Sequence, residues 1–207
     1  MEDTPTLYTE RLILRPLQLA DADAVQQLFP HWDVVRYLNA AVPWPYPEDG
    51  ALTYLRDVAL PAVASGKEWH WSIRRKSAPE QLIGNISLMD QTDNHRGFWL
   101  TPAWQGQGFM TEASAAVTDY WFNVLQRPLM RVPKAAPNTG SRRLSERAGM
   151  RLIRTDEDDF VGGRFPREIW EISREEWLAR HCPRRQKIHC GSEPARDGGL
   201  PDTIIVD

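Results

Sequence analysis

The sequence predicts a single α/β domain over residues 1–181, with six or seven strands and helices between them. Three features carry this prediction. Along the chain, apolar residues switch between the two-residue period of strands and the longer period of helices. The 207 residues suit one domain, against roughly 150 per domain, with room for a sizeable core. One strand also runs into a glycine-containing turn that opens a regular amphipathic helix.

Thr9–Leu17 opens as a strand, with Leu12 and Leu14 alternating against Arg11, Ile13 and Arg15 until Pro16 closes it. Asp21 caps a helix carrying Ala24, Val25, Leu28 and Phe29 that stops near Pro30, and Val34–Leu38 forms a second short helical stretch. The stiff run Val42-Pro43-Trp44-Pro45-Tyr46-Pro47 follows as a loop. Ala51–Ala64 reads as helix, Trp69–Arg75 and Gln81–Met89 as a hairpin turning at Ser77–Glu80, and His95–Leu100 as another strand. In Thr111–Gln126, the residues Ala113, Ala116, Val117, Tyr120, Trp121, Val124 and Leu125 share one helical face, which must lie on a sheet. Leu129–Ala135 is a strand and Asn138–Ala148 a helix ended by Gly149; Met150–Arg154 and Glu168–Ile172 are strands before a short helix through Trp177. Beyond Pro183 aromatics vanish and Pro and Gly break every apolar pattern, so residues 182–207 are expected to be a disordered tail.

Charge and composition exclude several functions. With 25 basic against 28 acidic residues the net charge is −3, so a basic surface for nucleic acid is not expected. No apolar run approaches the roughly 18 residues of a membrane span, and the N-terminus lacks a basic-then-apolar leader. A soluble, cytoplasmic protein is the expectation. Cys182 and Cys190 form no disulfide framework, and with His181 and His189 they lack the spaced ligands of a closed zinc site, so no metal is expected. The nine tryptophans supply either buried area or pocket walls, and composition does not distinguish the two. The run Asp156-Glu157-Asp158-Asp159 would favour a cationic acceptor if it faced a cleft, but a solvated loop is the simpler expectation.

Chemistry is concentrated at the junction Trp99–Ala113, where a strand, the turn Gln105-Gly106-Gln107-Gly108 and a helix N-terminus follow one another. Such a turn offers backbone N–H groups and the positive helix end to an anion, and a pyrophosphate is the natural ligand. A dinucleotide fingerprint would need a third glycine where Thr111 stands, and a phosphate-binding Walker loop would need Lys-Ser or Lys-Thr after Gly108. Taken alone, Gly106-x-Gly108 equally suits an ordinary tight turn before a helix.

Here the sequence resembles the GNAT superfamily of acyl-CoA-dependent N-acetyltransferases. Gln105-Gly106-Gln107-Gly108-Phe109-Met110 matches the family's cofactor turn at Gln105 and Gly108 and departs from it at Met110. Downstream, Asn138-x-x-Ser141 followed by Glu146-Arg147-Ala148-Gly149-Met150 looks like the family's second cofactor segment. Thr9–Pro16 and Gly97–Leu100 are similar to the branch of Rim-type ribosomal-protein N-terminal acetyltransferases, so the resemblance spans about Thr9 to Trp177. It implies a mixed, twisted central sheet splayed between its fourth and fifth strands, with acetyl-CoA as co-substrate in the splay, and a monomer or homodimer.

Amide formation from a thioester needs a neutral amine, a polarised carbonyl and a protonated leaving thiolate. The resemblance places the backbone N–H groups of Phe98, Trp99 and Leu100 on the thioester and pantetheine, those of Gln105, Gly106, Gln107, Gly108, Phe109 and Met110 on the pyrophosphate, and Asn138 on pantetheine. Many relatives present a tyrosine seven residues after the asparagine; that position is Ser145 here, so Ser141 is the candidate acid. The branch often carries Glu two residues before Gly97, where this chain has His95, a candidate base; solvent is the alternative, and His70 a second, less favoured candidate. Trp44 and Tyr46 fall where the family lines its acceptor site. The function expected is acetyl transfer from acetyl-CoA to a primary amine, a protein N-terminal α-amine or a small molecule, by direct attack in a ternary complex. The competing expectation is a non-catalytic acyl-CoA-binding sensor or scaffold, and an aminoacyl-tRNA acceptor is disfavoured by the acidic balance.

Overall fold

A computed structural model of the chain describes residues 4–181. The expected tail, residues 182–207, lies outside the described residues. Five strands form one antiparallel sheet in chain order: β1 (Leu7–Tyr8), β2 (Leu12–Pro16), β3 (Glu68–Arg75), β4 (Ala78–Gln91) and β5 (Asn94–Leu100). Three more form a second antiparallel sheet in the order β6–β8–β7, with β6 at Leu129–Ala135, β7 at Arg151–Phe160 and β8 at Gly163–Ser173. The described residues thus hold eight strands rather than six or seven, the addition being the two-residue β1.

No ladder joins β5 to β6, the fourth and fifth strands once β1 is set aside. They start side by side, with the Arg131 amide donating to His95 Nδ1, and their far ends flank a cleft. Splaying is tolerable because each strand is already paired on its other edge.

The helices are α1 (Ala22–Leu28), α2 (Trp32–Val35), α3 (Gly50–Tyr54), α4 (Leu60–Ala64), α5 (Phe109–Asp119), α6 (Thr139–Ala148) and α7 (Arg174–His181). A wider π-type turn at Leu55–Ala59 joins α3 to α4, just ahead of Pro61, which has no N–H for an α-type bond. Helix α5 buries Ala113 and Val117 against Trp71, Ile86 and Leu88, the face its periodicity predicts. It begins two residues earlier than expected because Gly108, at φ +82°, turns the chain straight into Phe109.

Strand β3 is buried on both faces. Trp69, Trp71 and Ile73 enter the core under α5, whereas the alternate residues His70, Ser72 and Arg74 are buried and polar. Arg74 pairs with Asp21 and donates to the Glu80 carbonyl at 2.8 Å, so Asp21 does not cap α1 as expected. Its carboxylate instead accepts from the Gln18 amide and from Arg74.

The acidic run Asp156–Asp159 is part of β7, not a loop. Arg167 on β8 reaches across the ladder to Asp156 at 2.7 Å and to Asp158 at 2.7 Å. These carboxylates serve hairpin pairing, and the hairpin's tip bonds to the segment after α2 through Val161 N to Leu38 O and Gly162 N to Arg36 O.

Candidate active site

The glycine turn is built by its own side chains. After β5, Gln105 Nε2 donates to the Leu100 carbonyl at 2.8 Å and Gln107 Nε2 to the Ala103 carbonyl at 3.0 Å, folding the turn back on itself. Gly106 and Gly108 have φ of +74° and +82°. A Cβ at Gly106 would meet nothing within 4 Å, so backbone conformation rather than packing requires glycine there. No side chain caps α5, which leaves its first-turn N–H groups to an external acceptor.

Arg11 braces this turn from β2's approach. Its Nη1 donates to the Gln107 carbonyl at 3.0 Å, its Nε to Glu112 Oε2 at 2.7 Å, and its guanidinium covers the Phe109 ring. Glu112 also accepts from the Arg11 amide and from Thr9 Oγ1. Burial alone would raise the Glu112 carboxyl, but these hydrogen bonds outweigh it and hold the group below the ordinary range.

The cleft this turn opens onto has a volume of about 670 Å³. Its walls bring together Phe98, Trp99 and Leu100 of β5, Gln105, Gly106 and Gly108 of the turn, Phe109 and Met110 of α5, and Ser141 of α6 with the preceding Asn138. Gln107 alone of the expected cofactor residues stays off the wall, because its amide is turned to Ala103. Met110, the departure from the family pattern, is 8% exposed and packs into the core, so the mismatch is accommodated below the turn.

Asn138 is the N-cap of α6: its Oδ1 accepts from the Ser141 amide at 3.1 Å. The Asn-x-x-Ser spacing is thus the spacing of a cap, and it also presents Ser141 to the cleft. At the other end Gly149, at φ +78°, closes the helix, with its N–H and that of Met150 returning to the Glu146 and Ser145 carbonyls.

His95 is placed differently. It turns into the gap beside β6, where Nδ1 accepts from the Arg131 amide at 2.8 Å and the ring lies 5.0 Å from that of Trp121. Burial pushes the imidazole pKa down, and the engaged Nδ1 requires the proton on Nε2. His70 is buried on β3 with Nε2 2.7 Å from Glu68, and it too lies off the cleft wall.

The expected acceptor aromatics also stand apart. Trp44 is exposed beside Trp32, with ring centroids 5.6 Å apart, and Tyr46 packs edge-on to Phe29 at 5.1 Å. Phe29 in turn meets Trp99 at 5.4 Å, so Tyr46 supports the wall from behind. The wall on that side comes from α2 and the residues after it, Asp33, Arg36, Tyr37 and Leu38. Arg143 and Arg147 were also missed: they are exposed on the α6 side of the cleft, and among the described residues no carboxylate pairs with either. Their signal was the four-residue spacing that puts two cations on one helix face. The tryptophans divide between both roles, with Trp71, Trp121 and Trp177 in the core and Trp99 and Trp104 at the cleft.

With this geometry in hand, comparison with known proteins is specific. The acetyltransferase (GNAT) domain family matches residues 11–151. The uncharacterized N-acetyltransferase p20 of Bacillus licheniformis is 29% identical over 143 residues, 67% of this chain and 78% of that protein. YoaA of Bacillus subtilis, also described as an uncharacterized N-acetyltransferase, is 28% identical over 149 residues, 70% of this chain and 82% of its own. Among solved structures, Mycobacterium smegmatis RimJ in complex with a CoA-disulfide superposes with a TM-score of 0.70 at 17% identity, over 86% of this chain and 94% of RimJ. Spermidine N-acetyltransferase from Vibrio cholerae in complex with CoA and spermine gives a TM-score of 0.66 at 21% identity, over 81% and 98%.

Proposed function

The chain belongs to the GNAT acetyltransferase family, and from that premise we propose that it transfers the acetyl group of acetyl-CoA to a primary amine by direct attack in a ternary complex. The observation that carries this is the convergence on one cleft of the uncapped α5 N-terminus, the end of β5 and the capped start of α6. The site fits the co-substrate chemically. The left-handed glycines clear the turn of side chains, the α5 amides meet a pyrophosphate, and Arg143 and Arg147 add positive charge for phosphate. The splay beyond the end of β5 leaves room for the pantetheine arm, with Asn138 and Ser141 on its far wall. Backbone donors already held in place polarise the thioester carbonyl without reorganisation.

The acceptor is a primary amine, and likeness to the Rim-type branch at Thr9–Pro16 and Gly97–Leu100 favours a protein N-terminal α-amine. Neighbouring structures support both acceptor kinds, a ribosomal-protein S5-alanine acetyltransferase from Vibrio fischeri and the spermidine enzyme from Vibrio cholerae. Among the described residues no helix is long and apolar enough to cross a membrane. Use of acetyl-CoA, an intracellular metabolite, favours the cytoplasm as the place of action.

Calorimetry with acetyl-CoA on the protein and on Gly108→Asp tests the site, since a side chain at this left-handed position is strained and its Cβ would come 3.3 Å from the Arg11 guanidinium that braces the turn. Binding in the parent and at least a hundredfold loss in the variant is the expected result. A panel of short peptides and polyamines read by mass spectrometry then identifies the acceptor. Binding with no acetylated product from any amine would favour a non-catalytic acyl-CoA sensor instead.

A further inference from the structure

On the side of α2 the cleft wall has two features with no part in the chemistry above. The first is how it is fixed. Val34 and Leu38 pack in one apolar cluster with Trp99 of β5, so this segment stands beside the strand end given above to the thioester. From the other sheet, the tip of the β7–β8 hairpin pairs with it as a further strand would. Asn39 bridges Phe160 in antiparallel fashion, the Gly162 amide donates to the Arg36 carbonyl at 2.9 Å, and the Ala40 amide donates to the Asp159 carbonyl at 3.2 Å. A Cβ at Gly162 would lie 2.7 Å from the Arg36 carbonyl oxygen and 3.3 Å from the Arg36 Cβ. The φ of Gly162 is not positive, so this close approach alone requires glycine there. Arg36 is thereby seated on the cleft wall by supports from both sheets.

The second feature is charge. Asp33 is the one acid among the described residues of the cleft wall, against Arg36, Arg143 and Arg147. Arg143 and Arg147, on α6, serve phosphate in the reading above, which leaves Arg36. Its guanidinium lies over the Tyr37 ring, 4.8 Å from the centroid, a contact that orients its plane. Nη2 is 3.3 Å from Asp33 Oδ1, and the buried Nε has no partner among the described residues. The Asp33 and Arg36 side chains are 65% and 39% exposed, so their ion pair is solvated and competes only weakly for the guanidinium. The acids that would suit a cation are engaged elsewhere: Asp156 and Asp158 pair with Arg167, and none of the run Asp156–Asp159 lines the cleft. A polyamine therefore meets more positive than negative charge on this wall, whereas a carboxylate meets a planar, oriented fork with donors to spare.

We propose that the acceptor carries a carboxylate near its amine and that Arg36 receives it, with Tyr37 and Gly162 as positioning residues. This rests on the acetyl-transfer reading above and names the acceptor class for it. The carboxylate takes the guanidinium donors that Asp33 leaves open, and the amine is directed towards the end of β5. An acidic side chain in second place of a peptide and the α-carboxylate of a free amino acid offer the same chemistry, and the choice of acceptors separates them.

The test uses the full chain, Arg36→Met, Arg36→Glu and Gly162→Ala. The acceptors are a short peptide with aspartate in second place, the same peptide with asparagine or lysine there, a free amino acid beside its amide, and spermidine. In the parent, kcat/KM for the carboxylate form of one pair should exceed that of its amide by about tenfold, the scale of a hydrogen bond to a charged group, and the gap should narrow as salt is raised. Whichever pair shows the gap identifies the source of the carboxylate. Arg36→Met should close it by raising KM for the carboxylate acceptor, while KM for the amide form and for acetyl-CoA stays within about twofold, a split that a merely structural role would not produce. Arg36→Glu should turn the preference to the lysine peptide. Gly162→Ala, which keeps the charge and shifts the wall, should raise KM for the carboxylate acceptor several-fold and leave acetyl-CoA binding unchanged. A second readout needs no turnover: in calorimetry with CoA present, the N-acetylated carboxylate acceptor should bind the parent about tenfold more tightly than its amide, and Arg36→Met should bind both alike. A parent that prefers the amide, the lysine peptide or spermidine would overturn the proposal, and so would an Arg36→Met that loses activity on every acceptor equally. If Arg36→Met fails to fold, Arg36→Glu and the salt dependence of the parent answer through the same readouts. A parent that acetylates no amine defeats the acetyl-transfer reading and leaves the calorimetry to decide this one, whereas an active parent with no preference for a carboxylate defeats only this one.

Discussion

At φ of +74° and +82°, Gly106 and Gly108 occupy backbone conformations that cost other residues about 1–2 kcal/mol each. The cleft therefore depends on what these positions lack as well as on what its other residues carry. His95 shows the reverse case, a residue of the right chemistry engaged elsewhere. To act as a base it would have to give up the Arg131 amide bond at Nδ1, the nitrogen that would receive the proton. We therefore expect His95→Gln, whose side-chain oxygen can still accept from that amide, to keep the parent pH–rate profile and a kcat within about twofold. A tenfold loss of kcat with a flattened acid limb would instead return His95 to the chemistry. The residue types at 95, 141 and 145 were legible in the sequence. The cap that Ser141 shares with Asn138 was legible too, but the partners of His95 and Ser145 were not, because Arg131 stands across the split from His95 and Lys134 meets Ser145 only through the packing of α6 on β6.

Helix α5 and the segment leading to β2 act as one unit through Arg11, Thr9 and Glu112. Glu112 stands in the first turn of the helix, yet its carboxylate turns away from the open amides to Arg11 and Thr9, leaving those amides free for an incoming anion. Because its folded-state pKa lies below the ordinary value, the stability it contributes is present above that value and is lost as pH falls through the folded one. Glu112→Gln should cost on the order of 1–2 kcal/mol at pH 7 and weaken acetyl-CoA binding several-fold. The difference in melting temperature from the parent should close on titration to pH 3. A pH-independent difference would show that shape, not charge, holds the turn. The helices were readable from their periodicity, and α6 from its cap and closing glycine. The continuation of β7 through Asp156–Asp159 was not, since four acids look like solvent until Arg167 is seen across the ladder.

For the molecule as a whole, the feature that matters is the break between the two sheets. Across it run the His95–Arg131 bond and the ion pairs of Asp93 with Arg131 and Arg154, all at the end away from the cleft. The Arg131 guanidinium, first, and Arg154 hold the Asp93 carboxyl below its usual range, so this clasp persists through neutral pH. A ligand lying in the splay touches both sheets and ties the open end. At a hundred times its dissociation constant, acetyl-CoA should add about 2.7 kcal/mol. For a chain of this size that is roughly 5–10 °C in melting temperature. Scanning calorimetry checks this, and the rise should be absent in Gly108→Asp.

The sequence by itself determined the α/β class, the positions of nearly all the elements, the glycine turn before α5 and the capped start of α6. Each of these is written in local terms, a two-residue or helical period, a glycine where φ must be positive, a side-chain oxygen three residues before an amide. Tertiary structure alone decided which side chains face the cleft. It left Trp44 exposed beside Trp32, set Tyr46 behind the wall, put Tyr37 and Arg36 on it, drew His95 against Arg131 and joined Lys134 to Ser145. The reason is that two sheets parting at one edge bring together residues distant in the chain, and no local pattern records how far apart those edges stand.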